Sequence, residues 1–335
     1  MEIFAEDKVA RILEVRQGLQ RVELVSGDRA YVLTEILGES KVGDHVVVNK
    51  AAVNLDLGTG GWHVVHWNLS RSPGDYITPG HIMKLRYTSL QHQSVAIEEL
   101  YQEPAIELSQ RLKDEKVLVM GLHSQVGVAA IAAGYLLPDL KIAYVMTDGG
   151  ALPLALSDLV SRLRENKTLA HTITAGQAFG GDYESLTVVG GVTAAFEFLK
   201  ADLVMVGMGP GIAGTSTRVG NSAIECLAIS ETLASLGARV QYALRMSNAD
   251  PRERHLGLSH HSRTVMELLS ERVGICAPSS YAGADISDTV PRVDVEKLLG
   301  KLRNEVWLPK SMGRGIAEDP LFYEATLAAV QGLMG

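Results

Sequence analysis

Cysteine is scarce in this sequence, which has only Cys226 and Cys276 among its 335 residues. Two cysteines supply neither a disulfide framework nor the ligand spacing of a zinc site, and this scarcity is typical of a reducing compartment. Long apolar runs are lacking too, because the most apolar stretch, residues 126–137, is shorter than the roughly 20 residues of a membrane-spanning helix. Charges throughout the N-terminal segment argue against a signal peptide. We therefore expect a cytoplasmic protein with no membrane partner.

Basic residues are outnumbered. The sequence has 31 Lys and Arg against 39 Asp and Glu, which gives a net charge of -8. Binding to nucleic acid without sequence preference needs clustered Lys and Arg that displace counterions from the phosphates. We therefore expect no nucleic-acid partner.

Glycine, by contrast, is abundant. It occupies 33 of the 335 positions, whereas ordinary usage is about 7%. Ten of these glycines lie between Gly176 and Gly220. Collagen and low-complexity disorder are excluded, because no three-residue period is present and 46% of the residues are hydrophobic. The excess therefore marks a particular part of the chain.

Residues 8–69 contain five short segments rich in β-branched residues and separated by turn signals. This pattern predicts a small antiparallel β-barrel or sandwich, which we assign to residues 1–75. Small barrels often bind oligonucleotides, but these segments show no basic face interleaved with aromatic residues, so a structural or partner-docking role is favoured. Residues 76–115, with Pro79 and Gly80 near their start, are predicted to be a connector.

From Lys116 onward, apolar runs alternate with helical stretches. Runs that are apolar on both faces are typical of strands buried in a parallel sheet. The pattern predicts a Rossmann-like α/β domain over residues 116–335, with a mostly parallel sheet and helices on both faces. The sequence leaves the order of the strands in the sheet open. Ligands of such sheets bind outside the carboxyl ends of the strands, so the loops after the strands are the candidate site.

The loop over residues 207–218 is the strongest candidate. Glycines let backbone N–H groups approach an anion, and hydroxyls and a guanidinium add donors. The predicted ligand-binding residues are Gly209, Gly211, Gly214, Thr215, Ser216, Thr217 and Arg218, with Arg245 from a later loop. The spacing matches G-x-G-x-x-G, but the next helix starts late and no acidic residue ends the following strand, which disfavours a dinucleotide. A purely structural turn is the other interpretation.

Asp148 and Asp182 are predicted catalytic residues, because each lies beside paired glycines after a strand. Two such carboxylates can hold a divalent cation or act as acid and base. The alternative is turn chemistry, in which an Asp side chain bonds its own backbone. No particular metal or cofactor is indicated.

His123 is also a predicted catalytic residue. It precedes Ser124 in a segment that resembles a nucleophile elbow, except that Leu122 and Val126 replace the two glycines of that turn. We therefore expect Ser124 to cap a helix rather than to act as a nucleophile.

His260 and His261 complete the predicted catalytic set. Ser259 is expected to cap a helix with both imidazoles in its first turn, where the helix dipole keeps them neutral. The spacing of these two residues from His255 suits no helical metal-binding face, on which ligands lie three or four residues apart. Solvated surface residues are the alternative.

Several segments give the chain a resemblance to a known family. They are Leu57-Gly-Thr-Gly-Gly61, Pro79-Gly-His-Ile-Met-Lys-Leu-Arg-Tyr87, Leu122-His-Ser-Gln125, Thr147-Asp-Gly-Gly-Ala-Leu-Pro153 and the glycine-rich loop 207–218. On these segments the chain resembles a bacterial family of similar length whose function is uncharacterised. The resemblance implies no activity and transfers no catalytic residues.

Two classes of function are compatible with these patterns. The first is an enzyme that binds a small anionic ligand, phosphorylated or carboxylated, at the glycine-rich loops after the parallel strands. The second is a non-catalytic ligand sensor or scaffold whose N-terminal barrel docks a partner. A homo-oligomer is compatible with both.

Overall fold

A computed structural model describes residues 3–57, 60–71, 80–215 and 217–335. The chain forms two compact units, one ending at Ser94 and the other comprising Val95–Gly335. The domain boundaries predicted from the sequence, 1–75 and 116–335 with a connector at 76–115, stay predictions.

The first unit contains a closed barrel. Its elements are β1 (Phe4–Arg16), β2 (Leu19–Leu24), β3 (Arg29–Leu33), α1 (Thr34–Leu37), β4 (His45–Asn49), α2 (Ala51–Asn54) and β5 (Trp62–Asn68). The order around the barrel is β1-β2-β3-β5-β4, and β1 closes it by pairing with β4. Apolar side chains of alternate strand residues fill the interior. An antiparallel hairpin follows, formed by β6 (Ile82–Lys84) and β7 (His92–Ser94).

The predicted barrel is confirmed, with one departure from an antiparallel arrangement. β3 and β5 run parallel, whereas the other strand pairs of the barrel are antiparallel. The chain between them passes through α1, β4 and α2. That connection is long enough to return the chain in the direction of β3, which a tight hairpin turn cannot do.

The second unit is an α/β domain. Its strands are β8 (Lys116–Met120), β9 (Ile142–Thr147), β10 (His171–Ala175), β11 (Tyr183–Ser185), β12 (Leu203–Met208), β13 (Arg239–Ala243), β14 (Met246–Ser247), β15 (Gly257–Leu258), β16 (Val273–Ile275), β17 (Ala277–Pro278) and β18 (Arg292–Val293). Its helices are α3 (His123–Leu136), α4 (Asp158–Glu165), α5 (Val188–Glu197), α6 (Glu225–Ser235), α7 (His260–Leu268), α8 (Glu296–Arg303) and α9 (Pro320–Met334). Within the described residues, we find no helix with both the length and the apolar character to cross a membrane.

Seven strands form one parallel sheet in the order β11-β10-β9-β12-β8-β13-β16. One buried apolar layer contains α3, α4, α8 and most of the buried face of α9, and the other contains α5, α6 and α7. Because both faces are covered, every residue of β12 is buried. The predicted fold class, a parallel sheet with helices on both faces, is confirmed.

The centre of the sheet has the topology of a ligand crevice. β8 and β12 are neighbours, yet the helices that follow them, α3 and α6, pack in opposite apolar layers. Parallel sheets open a crevice at the carboxyl ends of strands where the connections diverge in this way. The loops that follow β8, β9, β12 and β13 begin at this carboxyl edge of the sheet.

Candidate functional site

The loops after β9 and β12 lie in direct backbone contact. A Cβ added to Gly209 would lie 2.3 Å from the carbonyl oxygen of Ala151, and one added to Gly150 would lie 2.4 Å from that of Gly209. The Ala151 N–H donates to the carbonyl oxygen of Pro210 at 2.8 Å. The close approach of two protein loops therefore accounts for glycine at positions 150 and 209.

The outer part of the glycine-rich loop closes on itself. The Thr215 N–H donates to the carbonyl oxygen of Gly220 at 2.7 Å, and the Gly220 N–H donates to Thr217 Oγ1 at 3.1 Å. Arg218 is exposed and forms an ion pair with Glu267 on α7. These predicted anion ligands thus have protein partners, and their binding role stays a prediction.

Three further predicted residues of this loop have different surroundings. Gly211 has a φ of 95°, which favours glycine, and a Cβ there would meet nothing within 4 Å. Gly214 packs beside α7, since its Cβ would lie 3.2 Å from Nε2 of His261. Ser216 lies outside the described residues.

His123 is held through both ring nitrogens. Its Nδ1 lies 3.1 Å from the carbonyl oxygen of Met208, and its Nε2 lies 2.7 Å from Oγ of Ser157. Because a carbonyl only accepts, we assign the proton to Nδ1, and Nε2 then accepts from the Ser157 hydroxyl. Burial lowers the pKa of His123 to about 4, so the ring is neutral. This imidazole joins the end of β12 to the start of α4, and its catalytic role stays a prediction.

The expectation that Ser124 caps α3 is wrong. The helix begins at His123, and Leu122 occupies the N-cap without a side-chain hydrogen bond. Ser124 lies within the first turn, where its hydroxyl is 3.4 Å from Oγ of Ser311.

Asp148 and Asp182 are associated with opposite ends of β10. Asp148 Oδ2 accepts from the Gln177 N–H, just after the carboxyl end of that strand, at 2.9 Å. Asp182 accepts from the N–H of Thr172 at 2.9 Å, near the amino end, and pairs with Arg164. The loop after β10 runs back along the strand before β11 begins. The joint site expected for these two carboxylates is therefore not formed.

Glu225 is a candidate residue that no sequence motif marks. It opens α6 and reaches the end of β9, where its Oε1 accepts from the Thr147 hydroxyl at 2.6 Å. Burial raises its pKa to about 7, the charge of Asp148 adds to the effect, and the Thr147 bond opposes it. The only sequence signal is its position at the start of the helix after the glycine-rich loop.

Glu225 should make the protein less stable as pH rises. Its pKa is raised from 4.5 to about 7 by folding, so the stability gained from its bound proton is complete below about 4.5 and lost as pH passes about 7. Glu225→Gln should remove a pH-dependent change on the order of 2 to 3 kcal/mol, measured by urea denaturation at several pH values. Glu231→Gln on the same helix is the control, because hydrogen bonds from Ser270 lower the pKa of Glu231 and give the opposite sign. Identical pH profiles for Glu225→Gln and the unmodified protein would contradict this assignment.

Three histidines converge beside the end of β13. His260 and His261 open α7, and His255 ends a 3₁₀ turn, Glu253–His255, that precedes β15. One ring nitrogen of each lies within 4.8 Å of one ring nitrogen of each of the others. They share no helical face, as their spacing predicts, but the antiparallel pairing of β14 with β15 folds the turn back toward α7. The tertiary fold thus forms a cluster that helical spacing does not indicate.

All three imidazoles of this cluster are neutral near pH 7. Burial is the largest cause and lowers the pKa of His255 and of His261 to about 3. Burial and then the charge of Arg254 lower the pKa of His260. The predicted cap is confirmed, since Ser259 Oγ accepts from the His261 N–H at 3.4 Å.

Arg245 is buried in an ion-pair network. Its guanidinium lies 3.4 Å from Asp250, which also accepts two hydrogen bonds of 2.9 Å from Arg252. Arg314 lies 3.5 Å from the same carboxylate and 3.2 Å from Asp319. Burial lowers the pKa of Arg245 to about 10 although Asp250 opposes the shift. The partner that the structure gives Arg245 is Asp250, and contact of Arg245 with a ligand stays a prediction.

Arg254 is a further cation beside the three histidines. It is exposed, and we find no hydrogen bond or ion pair from its guanidinium to any part of the chain that the structure describes. Its charge contributes to the lowered pKa values of His260 and His261. Arg254 therefore adds a positive charge beside His260 and His261.

Comparison with known families identifies the group to which the chain is related. Residues 29–330 match the model of a family described as a protein of unknown function, DUF3866. The chain belongs to this family. The expected resemblance to a family without a characterised function is thereby confirmed, although Gly58, Thr59, Pro79 and Ser216 among its motif residues lie outside the described residues. No curated protein matches the chain.

The structure of this DUF3866 chain brings only part of the predicted site together. His260, His261 and Arg245 lie in one region, to which His255 and Arg254 are added. Asp182 lies toward the opposite end of the sheet. The region at the end of β13 is therefore the best-defined candidate site of this family member.

Proposed function

We propose that this protein is an enzyme that binds a small anionic substrate, phosphorylated or carboxylated, at the end of β13. The observation that supports it is the guanidinium of Arg254, which lacks a partner among the described residues and whose charge acts on the neutral imidazoles of His260 and His261. A guanidinium binds phosphate and carboxylate through charge-assisted hydrogen bonds. Neutral imidazoles supply the polar chemistry, as proton acceptors or as metal ligands.

Two features of the fold favour an anion at this place. The amino terminus of α7, which carries His260 and His261, presents the positive end of a helix dipole. The buried network around Asp250 holds Arg245, Arg252 and Arg314 in place before any ligand arrives. A positive field organised in advance reduces the reorganisation that binding a charged substrate requires.

The substitution Arg254→Ala tests this proposal. Isothermal titration of the unmodified protein against phosphate, sugar phosphates, nucleotides and small carboxylates should identify at least one ligand. The variant should bind that ligand about 10-fold more weakly or worse, because a hydrogen bond to a charged group contributes about 1.5–3 kcal/mol. Arg303→Ala is the control, since Arg303 is an exposed arginine on α8 whose guanidinium lies 3.8 Å from Glu296. Its affinity should match that of the unmodified protein.

Two results would contradict the proposal. One is the absence of binding at millimolar concentration for every compound of the panel. The other is an equal affinity of the unmodified protein and Arg254→Ala for the ligand found. Conversion of the bound compound, followed by chromatography of the reaction mixture, should separate an enzyme from a sensor, and an unchanged compound would favour the sensor.

A further inference from the structure

Two imidazole nitrogens of the histidine cluster are buried without a partner. Nε2 of His260 and Nδ1 of His261 accept or donate no hydrogen bond within the described residues. His261 as a whole is only 6% exposed. Leaving a buried polar atom unpaired costs about 1–3 kcal/mol, so these two nitrogens gain from a bound partner.

The third imidazole is oriented by a neighbouring hydroxyl. Nδ1 of His255 lies 2.7 Å from Oγ of Ser259, and His255 is 1% exposed. When Nδ1 donates to this oxygen, Nε2 keeps its lone pair free for a ligand. A hydrogen bond of this kind commonly sets the tautomer and the ring direction of a metal-binding histidine.

The spacing of the cluster is close to that of a metal centre. The candidate ligand atoms lie within 4.8 Å of one another. Zinc–nitrogen bonds of about 2.0–2.1 Å in a tetrahedral site place two nitrogens about 3.3 Å apart. Small rotations of the side chains that open α7 would close that difference.

We propose that His255, His260 and His261 bind a divalent transition metal ion such as zinc, with a fourth position open to a ligand. Imidazole nitrogens favour such ions over magnesium or calcium, which prefer oxygen. The buried carboxylate of Asp250 offsets part of the positive charge of the site. This proposal rests on the proposed function in one respect, because the anionic substrate would take the open position beside Arg254.

Metal titration of the full-length chain tests the site without an activity assay. The protein is freed of metal with a chelator and titrated with Zn²⁺ in competition with a chromophoric chelator, and then with Co²⁺. We expect one equivalent of each metal per chain, and visible absorption bands of four-coordinate cobalt. His260→Ala should weaken zinc binding about 100-fold or more, because one of three protein ligands is lost.

Two further variants complete this experiment. His261→Gln, checked for folding by circular dichroism, should weaken zinc binding as well and keeps a polar side chain at the position. His171→Ala is the matched control, because His171 lies at the amino end of β10, and its zinc affinity should be unchanged. The site would be overturned if the unmodified chain bound zinc only in the millimolar range, or if His260→Ala bound it as tightly as His171→Ala.

The outcomes separate the metal site from the proposed function. Zinc binding that depends on His260, together with no anion binding by the loaded protein, would support the site and overturn the proposed function. Anion binding that depends on Arg254 in a chain without zinc affinity would overturn the site and support the proposed function.

Discussion

Replacing Asp250 with asparagine should lower the free energy of unfolding by about 3–5 kcal/mol. Asp250 is 2% exposed, and its carboxylate lies within 3.5 Å of guanidinium nitrogens of Arg245, Arg252 and Arg314. Asparagine keeps the shape of the side chain but removes the charge. Arg245, which is 7% exposed, would then remain as a buried cation without this counter-charge. Urea denaturation followed by circular dichroism measures the loss.

A surface ion pair of the same unit is the control for this substitution. Glu267 pairs with Arg218, and both side chains are exposed. Glu267→Gln should change the free energy of unfolding by less than about 1 kcal/mol, because solvent screens the pair. The double substitution Arg245→Met with Asp250→Leu should recover part of the loss, since apolar residues of similar volume often replace a buried ion pair without penalty. Equal losses for Asp250→Asn and Glu267→Gln would contradict the burial argument.

Gly209→Ala should destabilise the protein by about 3 kcal/mol or more. The added Cβ would lie 2.3 Å from the carbonyl oxygen of Ala151, a backbone atom that cannot rotate away. The two loops would have to separate, which breaks the hydrogen bond from Ala151 to Pro210. The midpoint of thermal unfolding, together with urea denaturation, measures the effect.

Gly134→Ala is the matched control for the loop substitution. Gly134 lies within α3, and a Cβ added there meets nothing within 4 Å. Alanine is the better helix former by about 0.8–1 kcal/mol, so this variant should be slightly more stable than the unmodified protein. A Gly209→Ala variant as stable as Gly134→Ala would show that the loops separate without cost.

Much of the fold is predictable from local pattern, and the reason is burial. Covering β12 on both faces requires an apolar residue or glycine at each position, and this leaves a continuous run in the sequence. The pairing of β3 with β5 and the order of the seven strands leave no such trace. They depend on which strands come together after long connections.

The candidate site is less predictable, as three residues illustrate. The sequence predicts that Gly209 contacts a ligand, and the contact that the structure shows is with the backbone of Ala151. The sequence predicts that Asp182 lies near Asp148, but the loop after β10 returns along the strand and carries Asp182 toward the amino end of β10. His255 lies outside the helix that carries His260, and the β14–β15 pairing turns the chain back so that the two histidines lie close together.

Three properties can be read from the sequence by itself: the glycine content, the excess of acidic over basic residues, and the alternation of strands with helices. Each depends on composition or on residues that are close in the chain. The arrangement of Arg254 and the three histidines around the end of β13 is a property of the tertiary structure. Side chains interact over a few ångströms, and the chain segments that carry these groups come within that range only after the sheet and its covering helices have packed.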